Sequence, residues 1–137
     1  MGVNMRNRKS ILMILLAIGS ILLGYSYAHE LYGPLESEVE LWGYFSEGLG
    51  ASLLILAFFT THGIGTRLLL YIGTVIQIPP IILWFIFHSG EITDYPPAFS
   101  DNFVAHWAFS IPHIFLIILC LWILKLIGPR DTVVNSR

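Results

Sequence analysis

Every Lys and Arg of this chain lies on one side of an alternating series of apolar stretches, and nearly every acid lies on the other. Four such stretches cut the sequence into five polar segments. Arg6, Arg8 and Lys9 precede the first stretch, Arg67 lies between the second and third, and Lys125, Arg130 and Arg137 close the fourth. The other two links hold no Lys or Arg. They and the ends beside them carry Glu30, Glu36, Glu38, Glu40, Glu47, Glu91, Asp94 and Asp101, and only Asp131 breaks the segregation. Positive charge flanking an apolar span is retained on the cytoplasmic side during insertion. The pattern predicts a multi-pass integral membrane chain, in the plasma membrane, with both termini cytoplasmic and acidic loops outside.

The composition agrees. Of 137 residues, 55% are hydrophobic and 12% charged, against about 25% charged in a soluble domain. The length leaves no room for a separate soluble domain, so residues 1–137 read as one membrane domain. Nucleic-acid binding is excluded as a reading, because the few cations flank the membrane and form no basic patch. The single Cys120 lies in an apolar run, so it has no internal disulfide partner and offers no thiolate metal cluster.

The stretches run from Ile11 to about Ala28, Leu41 to Thr61, Leu68 to His88 and Phe103 to Ile127. Each is close to the ~20 residues a helix needs to cross the hydrocarbon core. A strand with unpaired backbone cannot face lipid, so the fold expected is all-α, a four-transmembrane-helix antiparallel bundle. Trp42, Trp84, Trp107, Tyr25, Tyr27 and Tyr95 fall near the outer boundary, as an aromatic belt would, and Trp122 near the inner one. Ser100, Asp101 or Asn102 can cap the fourth helix. The first stretch has a second reading. Basic residues, an apolar run and Ser26-Tyr27-Ala28 resemble a cleavable signal, which would leave His29 as an N-terminal copper chelate. The long apolar run and bulky tyrosines favour a retained helix.

Polar groups within apolar spans carry the functional information, because each is costly in lipid. His106, Ser110, His113 and Cys120 share one face of the fourth helix. Thr74, Gln77, Trp84 and His88 make a stripe on the third. Gly43, Glu47 and Gly50 share a face of the second with Ser46 beside it, and the first offers Ser20, Gly24 and Tyr27. Small and polar residues at such spacings ordinarily line a bundle interior. Pro79-Pro80 and Pro112 each remove a backbone donor and free the carbonyl four residues earlier, at Val75, Ile76 and Ala108.

Two chemistries compete with plain packing. His29, Glu47, His88, His106 and His113 gather toward the outer half of the bundle, and imidazole with carboxylate suits copper, zinc, iron or haem iron. Glu47 and His113 could instead form an acid–base couple acting on a lipid-like substrate, since a carboxylate in lipid needs a cation or proton donor beside it. No HExxH, Glu-x-x-His or CxxC motif supports either. A chain of four spans with no complete catalytic motif best fits a subunit of a larger membrane complex. Its expected partners are the lipid bilayer and other membrane subunits or further copies of itself.

Overall fold

The structure is a computed structural model that describes residues 5–31, 37–59, 63–89 and 103–128, with side chains described for 7–31, 37–59, 63–84 and 109–128. The described residues form five helical segments and no strand: α1 (Met5–Ala28), α2 (Ser37–Leu56), α3 (Ile64–Val75), α4 (Ile78–Ser89) and α5 (Phe103–Ile127). Three spans are long and apolar enough to cross a membrane: Asn7–Ala28, Ile64–Trp84 and Phe109–Ile127. α2 is not among them, because Glu38, Glu40, Glu47 and several small residues dilute its apolar character.

The helices depart from the apolar stretches in instructive ways. α1 starts at Met5 rather than Ile11, since Arg and Lys are good helix formers and continue the turn into the polar segment. α2 starts at Ser37 rather than Leu41. Glu38 and Glu40 occupy its first turn, where negative charge meets the positive end of the helix dipole. It ends at Leu56, earlier than the apolar run suggests.

The third stretch is two helices. Pro79 and Pro80 have no N–H for the carbonyls of Val75 and Ile76, so the first segment stops at Val75. The chain tightens there: the Ile76 N–H donates to Ile72 O at 2.9 Å and the Gln77 N–H to Thr74 O at 3.4 Å. A new helix starts at Ile78, which puts both prolines in a first turn that needs no N–H. Trp42 of α2 meets the break, its indole Nε1–H donating to the Ile76 carbonyl at 2.7 Å. α5 absorbs Pro112 internally and ends at Gly128, whose φ of 57° is the left-handed conformation of a helix-terminating glycine.

α1 packs on α2 and α5, α5 also on α3 and α4, and α2 on α3. The core between them contains Met13, Leu16, Leu53, Leu70, Leu116 and Ile123. The outside is equally apolar. Ile11, Leu15, Ile18, Leu22 and Tyr25 form an exposed stripe along α1, and Ile111, Phe115 and Ile118 one along α5. A soluble protein rarely exposes such continuous faces.

The α1–α2 seam is the tightest contact. A Cβ on Gly24 would stand 2.6 Å from the Gly43 oxygen, and one on Gly43 would stand 2.5 Å from the Ala28 nitrogen. A Cβ on Gly50 would reach within 2.7 Å of the Ala17 oxygen. Backbone meets backbone here, and the Ser46 hydroxyl crosses the seam to Ser20 O at 3.1 Å. The basic end of the molecule is also drawn together. The Arg67 guanidinium donates to the Gly128 carbonyl at the end of α5, and the Arg8 guanidinium lies 5.7 Å over the Trp122 ring.

Candidate functional site

Four elements bring polar side chains to one buried point. α1 supplies Tyr27, α5 His113, the α3–α4 break Gln77, and α4 Trp84. Tyr27, Gln77 and His113 are buried, the last two completely. The Tyr27 hydroxyl is 2.9 Å from His113 Nε2, and His113 Nδ1 is 2.7 Å from Gln77 Oε1. The Trp84 Nε1–H donates to the Tyr27 oxygen at 2.6 Å.

The chemistry of the partners assigns the protons. An amide oxygen only accepts, so Nδ1 of His113 carries hydrogen and donates to Gln77. In a neutral imidazole Nε2 is then an acceptor, and the Tyr27 O–H donates to it. Trp84 donates to the oxygen Tyr27 has left. The chain runs in one direction, Trp84 to Tyr27 to His113 to Gln77, each link joining a donor to an acceptor. Rings enclose it: Tyr27 and Trp42 meet edge-on at 4.9 Å, Trp42 and His113 at 5.4 Å, and Trp84 stacks on Phe109 at 4.4 Å.

Two buried groups beside this chain have no partner among the described residues: Nε2 of Gln77 and Oγ of Ser110. Ser110 is one turn from His113 on α5. Farther toward the basic end, the thiol of Cys120 lies against Gly73 and Thr74.

The other sequence candidates are dispersed. Glu47 lies at the α1–α2 seam, where a Cβ on Gly24 would be 2.8 Å from its nitrogen and 3.0 Å from its Cγ. Its side chain is half-buried, and Oε1 is buried without a partner among the described residues. No hydrogen bond joins Glu47 to His113, whose two nitrogens are taken by Tyr27 and Gln77. His29 is exposed just past α1, tilted over Tyr25 at 4.1 Å and edge-on to Tyr44 at 6.2 Å. The side chains of His88 and His106 lie outside the described residues, as do Tyr95, Trp107 and the capping candidates Ser100, Asp101 and Asn102. Among the described residues, no three His, Cys, Asp or Glu side chains come together as a metal site would require.

The aromatic belt is only partly what the residues form. Tyr25 is exposed, but Tyr27, Trp42 and Trp84 point inward, because each has an N–H or O–H that finds an acceptor in the core. The partnerships missed at the level of sequence include Trp42 with Ile76, Tyr27 with His113 and Trp84, and Gln77 with His113. The first had a signal. Pro80 strands the Ile76 carbonyl in mid-span, and an indole on the neighbouring helix is a donor with no acceptor capacity of its own.

Comparison of the chain with protein-family models, with characterised proteins and with solved structures gave no match. What fold and site define together is a class: a helical membrane protein with a tyrosine–histidine–glutamine chain buried at its proline-broken centre.

Proposed function

We propose that this chain is a four-span protein of the plasma membrane, with both termini cytoplasmic, that serves as a subunit of a larger membrane assembly. The observation that carries the reading is the engagement of both His113 nitrogens by side chains of the same chain. A ligating imidazole keeps one nitrogen free for the metal, and a catalytic one must face its substrate. His113 does neither. It ties α5 to α1 and to the α3–α4 break, which is the work of a structural residue holding a bundle in one arrangement. α2 counts as the fourth span in this reading. Glu38 and Glu40 sit at one end, Glu47 lies mid-helix at the seam, and α1 closes over Gly43, Ser46 and Gly50. The charge segregation supports the orientation, since Arg8, Arg67 and Lys125 all fall at one end of the bundle.

The reading is tested by purifying the full chain in mild detergent, with mass spectrometry of co-purifying chains, elemental analysis and an absorption spectrum. The expected result is a defined set of partner chains at fixed ratio. Stoichiometric copper, zinc, iron or haem that disappears in His113→Ala would overturn it in favour of a redox or metal-handling role.

A further inference from the structure

At the basic end of the bundle, Arg8 stands in the first turn of the span Asn7–Ala28, and Lys125 in the last turn of the span Phe109–Ile127. Both therefore fall at one membrane surface, level with lipid headgroups. The Arg8 guanidinium lies 5.7 Å over the Trp122 ring. Lys125 follows one turn beyond Trp122, on the same face of α5. All three side chains are exposed. Deeper in the span, Leu15 shares the Arg8 face of α1 and Ile118 shares the Trp122 face of α5, and both are exposed. The two helices touch at mid-span, where a Cβ on Gly19 would stand 2.9 Å from Leu116 Cδ2.

A guanidinium lying over a ring uses its face. Its N–H groups point outward in the plane, and among the described residues none accepts from those of Arg8. Arg67, by contrast, is committed to the Gly128 carbonyl. A planar edge of N–H donors matches two oxygens of a phosphate. Resting on Trp122, that edge is oriented before a ligand arrives. The described acids lie far from it. Glu47 is level with Gly24, about 24 Å from Arg8 along α1, and Glu30, Glu38 and Glu40 lie beyond. A zwitterionic headgroup carries its own cation beside the phosphate, which Arg8 and Lys125 repel. A headgroup with a phosphate and no cation meets only attraction there.

We propose that Arg8, Trp122 and Lys125 form a binding site for one anionic phospholipid. The edge of Arg8 and the Lys125 ammonium take the phosphate, and an acyl chain lies along the α1–α5 seam against Leu15 and Ile118. Trp122 is the positioning residue that holds the guanidinium in place. The site needs only that α1 and α5 span the membrane, and it does not rest on the subunit reading.

The test is native mass spectrometry of the full chain released from detergent and titrated with dioleoyl phosphatidylglycerol. Dioleoyl phosphatidylcholine and inorganic phosphate are the comparisons. The expected result is one phosphatidylglycerol retained per chain, bound more tightly than phosphatidylcholine. Arg8→Gln should weaken it by about tenfold, the scale of one charge-assisted pair. Arg8→Lys should recover only part of that loss, because it restores the charge without the planar fork. Lys125→Gln should also weaken binding. Arg130→Gln removes the same charge from the tail and should leave binding unchanged. Thermal unfolding in detergent separates binding from folding. Without lipid, Arg8→Gln should unfold at the parent temperature, and the rise that phosphatidylglycerol gives the parent should shrink. Equal binding of the two lipids, phosphatidylglycerol binding that ignores Arg8, or an equal loss in Arg130→Gln would overturn the site in favour of a diffuse basic rim. Displacement of the lipid by inorganic phosphate at matched concentration would also overturn it, leaving a free-anion site.

Discussion

His113 sits in the middle of the bundle with both ring nitrogens engaged by side chains of the same chain. Its two nitrogens differ in role, one donating to Gln77 and one accepting from Tyr27. That arrangement holds only while the ring is neutral and protonated at Nδ1. Tyr27→Phe removes one hydroxyl that serves both His113 and Trp84. We expect a loss of ~1–2 kcal/mol, measured as reversible unfolding in detergent. His113→Phe leaves the Gln77 carbonyl without its donor and takes from the Tyr27 O–H its acceptor on His113, while Trp84 still donates to the Tyr27 oxygen. Like Tyr27→Phe, it orphans polar groups and so should cost at least as much. No loss in either variant would show that the chain contributes nothing to stability. Histidine on a polar stripe was legible in the sequence. Which nitrogen meets what was not, because Tyr27 and Gln77 lie 86 and 36 residues away.

At the scale of the helices, two devices decide the geometry. One is the glycine seam. Gly24→Ala would drive a methyl to 2.6 Å from the Gly43 oxygen, so α1 and α2 must separate, at a cost of ~1–3 kcal/mol as for other overpacked contacts. Gly65→Ala, at the start of α3 with nothing within 4 Å, should leave the unfolding midpoint unchanged or slightly raised. The other device is the proline break. Trp42 supplies the donor that Pro80 withholds from Ile76. Trp42→Phe should therefore be destabilising alone and less so in a Pro80→Ala background, where a backbone N–H can replace the indole. A double-mutant cycle on unfolding free energy should give a coupling of about 1 kcal/mol. A coupling of zero would mean the Ile76 carbonyl finds another donor. The prolines announced the freed carbonyl in the sequence. The donor's identity depended on how α2 is rotated, which the Gly43 and Gly50 contacts settle.

For the whole molecule, the sidedness of charge is the main constraint. With the buried Cys120 replaced by Ser, Gly65→Cys should react with a membrane-impermeant maleimide only from the cytoplasmic side, and Ser37→Cys only from outside. Both positions are exposed helix ends. Labelling of the two from one side would refute the four-span topology. The sequence alone determined that the chain is helical and membrane-embedded, because the cost of unpaired backbone and of charge in lipid is local and additive along the chain. It also marked Ser110, His113, Gln77 and Cys120 as interior, since helical spacing places residues on faces without knowledge of neighbours. Only the tertiary structure decided that His113 bonds Tyr27 and Gln77 and not Glu47, that Trp42 and Trp84 turn inward from the expected belt, and that Glu47 lies on the seam. Those outcomes depend on helix rotation and crossing, which backbone contacts at Gly24, Gly43 and Gly50 impose, and no periodicity within a single helix encodes them.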